Sequence, residues 1–224
     1  MGAYFLGSLP IVYSIGKLYG IDLTKEEDAH IALWHKVGRL PGALGIGGDL
    51  AKGAVPVLVG KALSFDIQVV ALAGLLVVVG QMWPVFTNFD GGKGNTTGIT
   101  MIVSLVALKP LLAALVPMAA GILVRTAPRL LNPKQSMQER LKLGGPPSLS
   151  MPLGMAAGFA VLPLSTWAFH QPPGETLALL ALFLLIMVRR LTAALKPDLK
   201  EAKDRSVSTT SVLVNRLLFD RSFR

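Results

Sequence analysis

Long uncharged stretches separated by basic connections constrain this chain more than any other feature. Apolar segments run from about Ala3 to Tyr19, Ala43 to Leu63, Ile67 to Phe86, Ile99 to Val124, Met151 to Phe169 and Glu175 to Met187. A helix crosses a bilayer core with about 20 such residues. Composition agrees: 52% of residues are hydrophobic and only 16% charged, where a soluble domain carries about 25% charge. The fold class expected is an all-α integral membrane protein. The first segment has no positively charged stretch before it and no small-residue cleavage site after it, so it reads as a retained helix.

The block Ile99 to Val124 is longer than one span requires, and "LKPLL" interrupts it. Proline removes a helical hydrogen bond and crowds the preceding turn. We therefore read a short helix ending near Leu108 and a second from Pro110 to Val124, making seven in all. Charge supports this count. With the N-terminus outside and the C-terminus cytoplasmic, every one of the 22 Lys and Arg except Lys52, Lys61 and Lys109 falls on the cytoplasmic side, as the positive-inside rule demands. Residues 1–195 form one polytopic membrane domain, followed by a basic cytoplasmic tail, 196–224. A basic loop is expected over Arg125 to Pro147.

A net charge of +9 raises the question of nucleic acid. The basic residues flank apolar segments instead of gathering on one face, and no nucleic-acid motif is present, so the partners they suit are anionic lipid headgroups. The chain has no cysteine, which excludes disulfides, thiolate metal sites and thioester intermediates.

Two places carry candidate chemistry. In "NFDGGKGNTTG", Asn88 to Gly98, Gly91, Gly92 and Gly94 let backbone amides approach an anion, and Lys93 adds a positive charge. Thr96 and Thr97 lead into a helix whose N-terminus favours negative charge. The loop is not a Walker A motif, because Thr87 and Gly94 stand where that pattern needs Gly and Ser or Thr. A phosphate site and a flexible turn are both open readings here. Asp49 and Lys52 share one face of an apolar helix at i, i+3 spacing; they either pair for packing or line a polar cleft. His30, His35 and His170 have no zinc-ligand spacing, no metal site or cofactor is implied, and no carboxylate pair suggests general acid–base work. "VLVNRLLFDRSFR", Val212 to Arg224, is roughly amphipathic and suits either a membrane surface or solvent.

The run Gly80 to Gly98, "GQMWPVFTNFDGGKGNTTG", resembles the glycine-rich motif of the bacterial acyl-phosphate:glycerol-3-phosphate acyltransferases (PlsY type). That motif reads roughly Gly-His-x-x-Pro-x-Phe-x-x-Phe-x-Gly-Gly-Lys-Gly-x-Ala-Thr, and it is matched at Gly80, Pro84, Phe86, Phe89, Gly91, Gly92, Lys93, Gly94 and Thr97. "GSLP", Gly7 to Pro10, and "DLAKGAVPV", Asp49 to Val57, resemble the family's first two helices, and "PSLS", Pro147 to Ser150, the start of its penultimate one. Three places depart from the pattern. Gln81 stands where the family has His. "TKEEDAHIALWHKVGRL" replaces a Gly-, Ser- and Asn-rich stretch, with Arg39 the stand-in for its arginine. "RRLTAALKPDLK" replaces a His-x-x-Asn-Ile-x-Arg pattern.

The resemblance implies a multi-pass enzyme of the bacterial inner membrane, acting on acyl phosphate and glycerol 3-phosphate. It implies substrate phosphate bound by Gly91, Gly92, Lys93, Gly94, Thr97 and Lys52, and catalytic roles for Lys93, Ser8, Arg39 and Ser148. The two eroded motifs keep alternatives open: a non-catalytic relative that retains a phosphate or phospholipid loop, or an acyltransferase with another acceptor. A transporter is disfavoured, since no inverted repeat or paired broken helices are visible. Oligomeric state is not legible.

Overall fold

The structure, a computed structural model, describes residues 1–24, 26, 29–137, 149–193 and 195–220. Its regular elements among these residues are all helices, joined by turns and loops. Two short helices open the chain, α1 (Gly2–Ser8) and α2 (Ile11–Leu18), followed by α3 (Ala29–Lys36). The long helices α4 (Arg39–Ala62) and α5 (Ile67–Met82) lead to a 3-10 turn, Val85–Thr87. Next come α6 (Asn95–Leu105), α7 (Leu108–Leu130), α8 (Ser150–Ala168) and α9 (Pro173–Thr192). The tail forms α10 (Leu195–Asp204) and α11 (Thr209–Phe219).

Among the described residues, five helical stretches are long and apolar enough to cross a membrane: Arg39–Ala62, Ile67–Thr87, Leu108–Leu130, Ser150–Ala168 and Pro173–Asp204. The other two expected passes are incomplete. The segment expected as one helix from Ala3 to Tyr19 breaks at Leu9, which is extended (φ −62°, ψ 121°). The cause is local: Pro10 disfavours helical geometry at the residue before it. The break matters because it releases the Leu9 carbonyl from the helical ladder. The segment after the glycine loop is the 11-residue α6, about 16 Å long at 1.5 Å per residue, which is half a bilayer core.

The expected break is present but lies just before "LKPLL": Val106 and Ala107 are extended between α6 and α7, so the first helix ends at Leu105 and not near Leu108, and the second starts at Leu108 and not at Pro110. Pro110 sits in the first turn of α7, where its missing N–H leaves no bond unmade. The expected loop from Arg125 to Pro147 is corrected at its start, because α7 continues to Leu130 and carries Arg125 and Arg129 in helix. Residues 138–148, which include Ser148, lie outside the described residues.

The core forms where α4, α5, α6, α8 and α9 meet, around Val57, Met82, Met101, Phe159, Leu162, Leu179, Leu182 and Ile186. A smaller cluster of Val12, Leu23, Ala32 and Leu33 seats α3 against α2. Outward faces stay apolar, with Leu112, Val116, Leu123 and Leu184 more than half exposed, which suits hydrocarbon and not water.

One glycine sets how closely α6 approaches its neighbour. A Cβ on Gly53 would lie 2.2 Å from the Thr97 carbonyl oxygen, so only glycine lets α4 press against the first turn of α6. At the other end, Lys61 donates to the Ser104 and Leu105 carbonyls at 2.7 and 2.8 Å. That cation satisfies the free carbonyls of the α6 C-terminus and opposes its dipole. Replacing Gly53 with Val forces backbone against side chain. The expected loss is about 1–3 kcal/mol for overpacking, read as a lowered unfolding temperature in detergent, with Ala less damaging than Val.

Candidate functional site

The pair Asp49 and Lys52 is buried inside α4, each 2% exposed, with Lys52 Nζ 2.8 Å from Asp49 Oδ1. Lys52 Nζ also donates to Leu9 O at 2.5 Å and Gln81 Oε1 at 2.7 Å. An ammonium has three donors, and three oxygens surround this one. The Leu9 carbonyl is available because the helix breaks at Pro10. The second oxygen of Asp49 lies 2.9 Å from both Gln81 Nε2 and His30 Nε2. One residue on each of α3 and α5 thus completes a pair carried by α4.

Gln81 links this network to the glycine loop. Its backbone carbonyl accepts from Gly92 N–H at 3.1 Å, while its side chain spans Asp49 and Lys52. Past Trp83 the chain turns through Asn88 and Phe89, both in left-handed conformation (φ 52° and 62°). For a bulky residue such as Phe that is a rare conformation. It is held by Phe89 N–H donating to Pro84 O at 2.9 Å and Asp90 N–H to Thr87 O at 3.1 Å.

Arg189, at the end of α9 and 6% exposed, clamps the loop from the far side. Its guanidinium donates to Gly91 O at 2.6 Å and Gly92 O at 3.2 Å, and lies 3.5 Å from Asp90 Oδ1. It also stacks over the Trp83 ring at 5.6 Å. A planar fork suits such two-carbonyl recognition better than an ammonium does.

The loop ends at Gly94, left-handed at φ 77°, as the N-cap of α6. No described side chain caps this end. The first-turn amides of α6 are therefore the groups an anion would meet. Lys93 stands beside them, its side chain 30% exposed. Its Nζ contacts Asp220 through both the backbone carbonyl and Oδ1, the latter at 3.2 Å.

The residues singled out in the sequence are thus divided. Gly91, Gly92, Lys93, Gly94 and Thr97 are brought together, though Gly92 gives its amide to Gln81 and Thr97 is buried, its hydroxyl donating to Asp49 O at 3.3 Å. Lys52 is buried, its ammonium bonded to Asp49, Leu9 and Gln81. Ser8 is fully buried, its hydroxyl donating to Tyr4 O at 2.9 Å. Arg39 is exposed at the start of α4 and pairs with no described residue. Sequence reasoning gave no site role to His30, Gln81, Arg189, Arg190 or Asp220. Gln81 was visible as a departure from the family motif, and the two arginines only as topology signals at the end of an apolar helix.

Fold and site together define a class: an integral membrane protein with a glycine-lysine turn at the uncapped N-terminus of a half-length helix. The family model described as "Glycerol-3-phosphate acyltransferase" matches residues 1–200, and the chain belongs to that family. It is 40% identical over 110 residues to the glycerol-3-phosphate acyltransferase of Trichlorobacter lovleyi, covering 48% of this chain and 57% of that one. It is 26% identical over 234 residues to glycerol-3-phosphate acyltransferase 5 of Dehalococcoides mccartyi, covering 100% and 88%. Against the first relative, the match spans little more than half its length. Crystal structures of PlsY (YgiH), an integral membrane glycerol 3-phosphate acyltransferase, share the fold. The lysophosphatidic acid form gives a TM-score of 0.62 at 22% identity, covering 84% of both chains. The glycerol 3-phosphate form gives 0.60 at 24%, covering 94% of both.

The buried pair yields a stability prediction. Asp49→Ala leaves the Lys52 charge in an apolar interior, which costs about 3–5 kcal/mol for a buried pair broken on one side. The double variant Asp49→Leu with Lys52→Met is expected to recover most of that loss in thermal unfolding, since no buried charge then remains.

Proposed function

We propose that this chain transfers a fatty acyl group from acyl phosphate to the 1-hydroxyl of glycerol 3-phosphate, forming lysophosphatidic acid in phospholipid synthesis. The observation that carries the reading is the uncapped N-terminus of α6 with Lys93 beside it, in a chain of this family. First-turn amides and a lysine complement a phosphate group. In the reaction the glycerol hydroxyl oxygen bonds to the acyl carbon, and the bond from that carbon to the phosphate oxygen breaks. The hydroxyl proton leaves on the released inorganic phosphate.

In this reading Lys93 and the amides after Gly94 hold phosphate and disperse the charge that grows on it as the leaving group departs. No protein base is required, because an acyl phosphate is already activated and holding it against the hydroxyl supplies several kcal/mol through proximity, of a possible ~7–11. Gln81 and Arg189 grip the loop from opposite sides and fix where its amides point. Lys52 and Ser8 support the loop from behind, while Arg39 and Ser148 are further candidates for contact with substrate. We place the short pair α1–α2 and the half-length α6 with the five long spans as seven passes. The N-terminus is then outside, and the glycine loop and tail lie on the cytoplasmic face of a bacterial inner membrane.

Purified protein supplied with palmitoyl phosphate and glycerol 3-phosphate is expected to release phosphate and form lysophosphatidic acid. Lys93→Ala should lower turnover about 100-fold or more, the scale of losing one oxyanion-stabilising donor. Binding of both substrates by well-folded wild type with no product would instead identify a non-catalytic binding protein.

A further inference from the structure

The tail beyond the family match folds back onto the loop. Helix α11 is anchored to the domain by Arg216, which is 3% exposed. Arg216 pairs with the fully buried Asp198 of α10 and donates to Leu191 O at 3.0 Å. Val212 is fully buried on the same helix. The C-terminal end of α11 is therefore tethered close to the domain. That end is where carbonyls are unsatisfied and the helix dipole is negative.

What it points at is the cationic side of the loop. The backbone carbonyl and Oδ1 of Asp220 reach Lys93 Nζ. Asp220 Oδ1 lies 3.4 Å from Arg190 Nε, and Oδ2 accepts from Asn95 Nδ2 at 3.4 Å. Arg190 also donates to Leu217 O at 3.2 Å. A carboxylate and a helix C-terminus together present to Lys93 the charge and oxygens that a phosphate would. Asp220 is held at φ 52°, a left-handed conformation uncommon outside glycine.

We propose that Asp220 at the end of α11 is a tethered competitor that occupies the Lys93 site and is displaced by the phosphate of the substrate. This inference rests on the phosphate reading of the loop. It predicts an enzyme held closed at low substrate: the tether keeps the competing carboxylate at high local concentration, and apparent affinity is reduced by the fraction of molecules that are open.

Because the chain lacks cysteine, spin labels can be placed at Val214→Cys on α11 and Leu131→Cys after α7. Their distance distribution is expected to be narrow in the free protein and to broaden or lengthen when palmitoyl phosphate is added. By calorimetry, Asp220→Ala should tighten palmitoyl phosphate binding about 3- to 10-fold, and the KM for palmitoyl phosphate should fall with little change in kcat. Asp198→Ala, which loosens the anchor of α11 without touching the loop, should act in the same direction. Equal or weaker binding by both variants, with Lys93→Ala still abolishing it, overturns the tethered competitor and leaves the transfer reading standing. No binding or turnover in wild type or in either variant overturns both. A distance distribution unmoved by saturating substrate also overturns the competitor.

Discussion

The structure depends on how one buried ion pair is satisfied. Lys52 and Asp49 sit within an apolar helix where an uncompensated charge is among the most expensive things a membrane protein can carry. Compensation is drawn from three other segments: a carbonyl from Leu9, both ends of the Gln81 amide, and the imidazole of His30. Each donor or acceptor has a structural consequence. The Leu9 carbonyl lies outside the helical ladder because Pro10 breaks the first helix, and Gln81 can span the pair only if α5 packs beside α4. A pair that would be a liability in isolation fixes the relative positions of α1, α3, α4 and α5.

From that frame the glycine loop inherits its shape. Gln81 serves the ion pair with its side chain and receives the Gly92 amide with its backbone, so the loop begins at a fixed point. Arg189 takes the next two carbonyls and pulls them toward α9. The amides that follow are left at the mouth of α6, whose opposite end is closed by Lys61. One terminus of this short helix is thus neutralised and the other left open, an asymmetry that concentrates its positive end at the loop.

Much of this was legible in the sequence, and the rest has physical reasons for being hidden. Apolar runs placed α4, α5, α8 and α9 within a few residues, and "LKPLL" located the break before α7. Nine matched positions around Lys93 carried the family. The break at Pro10 was missed because a proline near the start of an apolar run is compatible with a kinked single helix. The pair at Asp49 and Lys52 was visible, but the direction of Lys52 was not, because its partners lie 43 and 29 residues away in sequence. Asp220 meets Lys93 across 127 residues, and no periodicity or motif reports on such a contact. Arg189 and Arg190 read as ordinary markers of helix polarity, since burial of an arginine is decided by what packs over it.

The clamp on the loop also bears on the order in which the molecule comes into being. Gly91 and Gly92 precede Arg189 by 98 and 97 residues. At about 5–20 residues per second of synthesis, the loop leaves the ribosome roughly 5–20 s before the side chain that holds its carbonyls. During that interval α4 and α5 can pair, and Gln81 can already receive the Gly92 amide, but the outer half of the turn has no grip. The centre therefore matures from its buried side outward, and a nascent chain that stalls before α9 carries the signature glycines without a set geometry.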